Sequence, residues 1–406
     1  MISIGLHLGY VWPLMSLFLR EQGVSEGEIG LISGASAIAP LLLWPAYTWF
    51  FRRFGAVGTV ALGTVLSLAC IALFFWLGAG WWSFVFRFGV GVGRSLHWVA
   101  TEAWVNHIAQ NHDRGRAIAV YSSGWAVGMV VGPALLSLTG DQGSLPVVAC
   151  VISTLVPVLP LLIFGRTYAP TLMHEDTPDQ SNQQTPTERA AKRAHLADLV
   201  RLLRYAPVIF LAALVAGTAE GQSFSLLPLY WIDQGLTTEQ AAELQILFGF
   251  GGGAGILLAG VMADRLGRRF LLVTPVIVGL ASLLIINWVA LDPVLISLAL
   301  LTLGGSVTSL YAIGLILLGD RFDRRDITPG NVAYVGIYNL GAIIGPVFGG
   351  LAINAFPQVG LLVCLSAFYI ILLVPALWYL RPVSLRHLFR SRVSPIDPER
   401  PDRPPD

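Results

Sequence analysis

Charge is what this sequence has least of. Only 12% of its 406 residues are Asp, Glu, Lys or Arg, while 55% are hydrophobic and the mean hydropathy is +0.70. A soluble domain carries about 25% charged residues, so water cannot be the solvent for most of this surface. Lysine is nearly missing, with Lys192 alone against 24 arginines. The net charge of +1, with no basic stripe among aromatics, gives a nucleic acid no footing. Cysteine is scarce too: Cys70, Cys150 and Cys364 each lie inside an apolar stretch without a CxxC or Cys/His cluster. That excludes a disulfide frame and a metal site and leaves small buried hydrophobes. There is no HExxH, no GxSxG and no paired intramembrane aspartates, which argues against an intramembrane enzyme. The absence of GxxxxGK[ST] argues against a nucleotide-driven pump, so no cofactor is expected and ion or solute gradients are the energy source.

What is present is apolar length. A bilayer core of about 30 Å needs about 20 apolar residues in a helix, because lipid offers no partner to a backbone amide. Stretches near 2–19, 28–50, 56–78, 81–105, 117–139, 145–165, 206–229, 241–263, 270–290, 293–318, 331–355 and 358–380 meet that length. The expected fold is an all-α polytopic membrane protein of twelve transmembrane helices in two six-helix bundles, 1–165 and 206–381. A polar linker, 166–205, separates them, and a Pro- and Arg-rich tail, 382–406, is expected to be disordered. Residues 2–19 have no basic segment before them and read as a first span, not a cleaved signal. Within the linker, 189–205 reads either as a surface helix with Leu196, Leu199, Leu202 and Leu203 against lipid headgroups or as a solvated helix.

The basic residues orient the chain. Arg20 alone falls in a loop on the side away from the linker, Arg87 and Arg94 lie within a span, and the other 22 share one side. The positive-inside rule therefore places both termini and the linker in the cytoplasm, and the arginine-rich composition points to a bacterial inner membrane. The two halves also repeat. EQGVSEGEIG (21–30) precedes DQGLTTEQAA (233–242) by 212 positions, RRFG (52–55) precedes DRLG (264–267) by 212, and GMVVGP (128–133) precedes GAIIGP (341–346) by 213. Such an offset is the mark of duplication.

The segment GVMADRLGRR (260–269) resembles the loop signature of the major facilitator superfamily between the second and third helices of a bundle. The resemblance implies that Gly260 lets two helices approach, that Asp264 pairs with a helix 11 N-terminus or a neighbouring base, and that Arg265, Arg268 and Arg269, turning at Gly267, hold a cytoplasmic gate. The first half departs from the pattern, with Arg52 in place of the acid and Thr48 in place of the first glycine. RFGVGVG (87–93) resembles the family's arginine-plus-glycine motif, which it associates with proton coupling. Gly128, Gly132 and Pro133, and Gly341, Gly345 and Pro346, resemble the glycine-proline motif of its antiporters, where small residues let backbones touch and proline bends the helix. Residues 82–128 are most similar to the YcaD-type subgroup.

The same resemblance implies that helices 1, 4, 7 and 10 line a central cavity. The intramembrane charges Arg87, Arg94, Glu102 and Glu220 all fall on helices 4 and 7. Seven residues separate Arg87 from Arg94, about 20° in azimuth, so one face of helix 4 presents both. Arg94 suits an anionic substrate group or a pairing with Glu220; both arginines can equally form a structural ion pair. His97 on nearly the same face is a proton relay or a hydrogen-bonded structural histidine. Glu220, at mid-membrane, is the expected coupling acid, able to gain and lose a proton as the cavity faces alternate sides. Glu102 can reach Arg114 or Arg116 as a gate salt bridge, and His7, Tyr10, Gln222, Ser306 and Tyr311 are candidates to complete the cavity.

The expected function is a proton-coupled carrier of a small organic solute by alternating access, working as a monomer in a lipid bilayer. Two arginines and one acid favour an anionic or zwitterionic solute. A multidrug or metabolite exporter with an apolar pocket, permitted by 12 tryptophans, and a non-transporting sensor or scaffold, motivated by the missing first-half acid, are the alternatives.

Overall fold

A chain this apolar can satisfy its backbone only by closing hydrogen bonds within each segment. In the computed structural model, which describes residues 1–108, 114–161, 163, 201–265, 270–288, 292–322 and 326–379, the described residues form helices and no strand. The first half holds α1 (Ile2–Glu21), α2 (Glu26–Leu43), α3 (Tyr47–Leu77), α4 (Trp82–Ile108), α5 (Arg114–Thr139) and α6 (Leu145–Leu155). The second holds α7 (Pro207–Ser225), α8 (Thr238–Arg265), α9 (Val273–Trp288), α10 (Pro293–Arg321), α11 (Ile327–Ala355) and α12 (Gly360–Tyr379). Seven continuous helical runs among the described residues are long and apolar enough to cross a membrane. One of them, Glu26–Leu77, is 52 residues long and contains two of the expected spans. The tail, most of the linker and residues 266–269 lie outside the described residues.

Two boundaries differ from expectation. The basic loop expected around Arg52 and Arg53 is helical, and the chain turns between spans at Gly55, whose φ of 67° and ψ of 179° form a backbone conformation open essentially to glycine alone. The seventh span breaks earlier than position 229: α7 ends at Ser225 and restarts as a short helix, Leu227–Asp233, with Pro228 in its first turn. At the end of the linker, Leu202 is buried against the second half and not turned to headgroups, because Arg201 is pinned to Asp326 at 2.8 Å and Tyr205 packs on Phe322. Leu203 packs partly buried on the same core; Leu196 and Leu199 lie outside the described residues.

The duplication is visible atom by atom. Ser25 and Glu28 cap the start of α2 reciprocally, and Thr237 and Gln240, 212 positions on, do the same at α8. Gly23 and Gly235, also 212 apart, both turn the chain with positive φ, 78° and 91°.

Close packing is built on glycine. A Cβ on Gly128 or Gly132 of α5 would sit 2.8 Å from the Cα of Gly5 or Gly9 of α1. One on Gly345 of α11 would sit 2.9 Å from the Cα of Thr218 on α7, and one on Gly341 2.9 Å from the Thr218 nitrogen. These pairs, α1 with α5 and α7 with α11, lock each half internally. The halves meet through α2 against α11, at Gly34 beside the Ile343 carbonyl and Gly350 beside Gly27, and through α5 against α8, at Gly249 beside the Met129 carbonyl. Gly260 has no such role: among the described residues nothing lies within 4 Å of where its Cβ would be.

Gly55→Ala is expected to lower the melting temperature of the detergent-solubilised chain, at a cost of about 1–3 kcal/mol for a strained backbone. Gly319→Ala, an open helical position, serves as the neutral control.

Candidate functional site

The charges on α4 meet α1 at Trp12. The chain reaches Trp12 through a π-turn, His7–Val11, which widens α1 and re-phases the residues after it. Arg87 is 1% exposed and directs both terminal nitrogens at the Trp12 carbonyl, at 3.4 and 3.5 Å, with its guanidinium carbon 5.4 Å from the indole centroid. Arg94, 7% exposed, lies over the same indole at 5.1 Å and beside Trp98 at 6.0 Å. Two guanidinium groups thus share one tryptophan, each such contact worth about 2 kcal/mol or more when water is excluded.

The second half answers with an acid. Glu220 of α7 and Tyr338 of α11 face each other, and Arg94 lies within electrostatic range of both. Arg94 and Glu220 are farther apart than a salt bridge. Tyr311 of α10 packs edge-on against Tyr338 at 4.8 Å and tilted against Tyr334 at 5.5 Å. Glu102 accepts the Trp98 indole N–H at 3.1 Å, so it orients an aromatic wall of the site. The side chains of its expected partners Arg114 and Arg116, and those of Asp264, Arg265, Arg268 and Arg269, lie outside what is described.

The expected cavity set divides. Arg87, Arg94, Glu220 and Tyr311 come together, and His97 lies within electrostatic range of His7 on α1; His7 gives Nδ1 to the Ser3 carbonyl at 3.0 Å and leaves Nε2 without a partner. Tyr10, Gln222 and Ser306 turn instead into the packing of their own half. Tyr10 donates to the Pro146 carbonyl at 2.9 Å, Ser306 to the Pro275 carbonyl at 2.6 Å, and Gln222 reaches the Cys364 sulfur at 3.6 Å. In lipid a buried hydroxyl or amide N–H must find an acceptor nearby, and theirs are within the bundle, while Gln222 Oε1 is left without a donor. Sequence reasoning passed over Trp12, Trp98 and Tyr338. The available signals were Trp98 one turn beyond Arg94 and the tyrosine pair Tyr334 and Tyr338 at i, i+4 on α11.

At the end of the bundle opposite the linker, polar contacts join the halves. Arg20 donates to the Leu229 carbonyl at 2.9 Å and pairs with Asp233, Thr238 donates to Asp141 at 3.0 Å, and the Gly27 amide donates to Asn354 at 3.2 Å. These close the far end around the repeated turns.

Comparison with known proteins gives the same outline. The family model described as Major Facilitator Superfamily matches residues 1–247 and 209–402. The MFS-type transporter YfkF of Bacillus subtilis strain 168, uncharacterised by its name, is 24% identical over 379 residues, covering 93% of this chain and 92% of its own. YcaD of Salmonella heidelberg strain SL476 is 24% identical over 361 residues, 88% of this chain and 87% of its own, in keeping with the subgroup resemblance. Among solved structures, the nucleoside transporter NupG superposes with a TM-score of 0.72 at 14% identity, covering 93% of this chain and 95% of that one. The D-xylose-proton symporter gives 0.68 at 15%, covering 93% and 95%. A bacterial homologue of the human lysosomal transporter Spinster, inward-facing and unoccupied, gives 0.69 at 17%, covering 97% and 95%. At these identities the structures speak for the fold.

Arg20→Ala is expected to speed amide exchange about two- to fivefold in 21–30 and 233–242, since a half-exposed ion pair contributes about 0.2–1 kcal/mol. Exchange at the linker end should be unchanged, and uniform acceleration across the chain would show that Arg20 supports the whole fold instead of this closure.

Proposed function

Because the chain belongs to the Major Facilitator Superfamily and is a membrane transporter, we propose that it is a secondary carrier of a small organic solute, working by alternating access and driven by protons through Glu220. One observation carries this reading: the buried cation Arg94 belongs to the first half, and the acid it attracts, with Tyr338, belongs to the second. Any rocking of one half on the other changes the separation of that pair. Their attraction falls with distance and is poorly screened away from water. Proton occupancy of Glu220 and the relative position of the halves are therefore linked, and linkage works in both directions.

The far-end contacts and the glycine seams support the rest of the cycle. Arg20, Asp141 and Asn354 tie the halves together at one end through groups that water can replace, while α2 with α11 and α5 with α8 provide close backbone surfaces along which the halves tilt. With the linker read as cytoplasmic, these contacts close the outer end, as an inward-facing conformation requires, and that conformation is the one named for the Spinster homologue that shares the fold. The D-xylose-proton symporter is a protein of this fold whose name records proton coupling. All the groups named come from one chain, so a monomer suffices, and the setting is the plasma membrane.

The test is proton movement in proteoliposomes with an interior pH dye, challenged with organic anions, zwitterions and cations, for wild type and Glu220→Gln. A solute-evoked pH change that the mutant reduces at least tenfold is expected. An unaltered response would move the coupling role to His97 or Glu102, and silence from folded, ligand-binding wild type would replace the carrier with a uniporter or sensor.

A further inference from the structure

Around Arg94 the first half is rich in donors and poor in acceptors. Among the described residues no carboxylate lies within salt-bridge distance of Arg94 and no hydrogen bond leaves it; its Nε is buried without an acceptor. The nearby Trp12 Nε1 and Arg87 Nε are buried and unpartnered as well. A desolvated cation without an acceptor is costly, and every one of these groups asks for the same thing. Because the guanidinium is laid on the Trp12 indole, its N–H edge is the part left for a partner, and a planar fork matches a carboxylate through two parallel hydrogen bonds.

We infer that the site takes an organic monocarboxylate with an apolar body, the carboxylate on Arg94 and the body against the rings of Trp12, Trp98, Tyr311 and Tyr338. The inference rests on the carrier reading above and adds the substrate class to it. Charge limits the anion to one negative charge. Arg87 spends both terminal nitrogens on the Trp12 carbonyl and gives no second cationic fork, while Glu220 stands opposite and repels a dianion. Glu220 is faced by Arg94 from α4, Tyr338 from α11 and Tyr311 from α10. An anion on Arg94 therefore competes with ionised Glu220 and is favoured when Glu220 carries a proton, so one proton and one monoanion bind together and move without net charge.

The experiment uses the purified full chain in detergent, following its melting temperature and tryptophan fluorescence with benzoate, phenylacetate and octanoate. Benzamide, benzylamine and inorganic phosphate are the controls. Carboxylates are expected to raise the melting temperature and change the fluorescence, with affinity falling at least tenfold in Arg94→Gln and less in Arg94→Lys. Benzamide, benzylamine or phosphate acting as strongly as benzoate, no response to any carboxylate, or an unchanged response in Arg94→Gln would each overturn the inference. Should Arg94→Gln not fold, the wild-type ligand comparison alone decides. Carboxylate binding without any solute-evoked proton flux would sink the carrier reading but not the anion site; proton flux evoked only by amines would do the reverse.

Discussion

A guanidinium buried at membrane depth has to be answered, and in this protein Trp12 gives most of the answer. Its carbonyl takes the terminal nitrogens of Arg87, and its indole lies under both Arg87 and Arg94. The position of Trp12 depends in turn on how close α1 comes to the rest of the first half. That approach is set by Gly5 and Gly9 against Gly128 and Gly132, and the π-turn at His7–Val11 sets which way the indole faces. The glycine motif in α5, read as a bend, is thus first of all the reason that two arginines can be buried on α4.

The second half is assembled by the same means to a different end. Gly341 and Gly345 hold α11 against α7, and this contact carries Tyr338 to Glu220 as part of one rigid unit. The same helix then presents Pro346 and Gly350 to α2 across the interface, beside Gly30 and Gly27. One helix therefore both orients the acid and forms a seam between the halves. Movement at that seam is transmitted to the site through a single packed element, which is the kind of physical connection that coupling requires.

The parts legible in sequence were those with a strong local cause. Apolar length located the spans; Gly23 with Ser25 and Glu28, and Gly235 with Thr237 and Gln240, encode the far-end turns within a few residues each; a spacing of seven put Arg87 and Arg94 on one face. What sequence could not give was rotation. A helix that is apolar all round has no moment to say which side faces a partner, so in sequence Tyr10, Ser306 and Gln222 are as available as Tyr311, and nothing beyond its spacing from Tyr334 marks Tyr338 on α11 as part of the site. The π-turn before Trp12 leaves no pattern in the residues that form it. Gly260 stands in a recognised motif yet meets nothing within 4 Å among the described residues, whereas Gly217 and Gly251, outside any motif, meet backbone directly.

The distribution of charge between the halves explains which groups can act as a switch. Arg87 and Arg94 are fixed to one helix about 10 Å apart by its rise, and Trp12 is fixed to them through the first half's own packing. Rocking leaves those distances unchanged, so the Arg87 contact is a constant of the fold. The attraction between Arg94 and Glu220 is different in kind, because its two ends lie on opposite sides of the only interface that moves in the proposed cycle. A protein that placed all its buried charge in one half would have the same desolvation to offset and no electrostatic difference between its two states. Dividing the charge makes the cost of burying Arg94 depend on conformation, and a proton on Glu220 or an anion on Arg94 can then shift the balance by acting on that one separation.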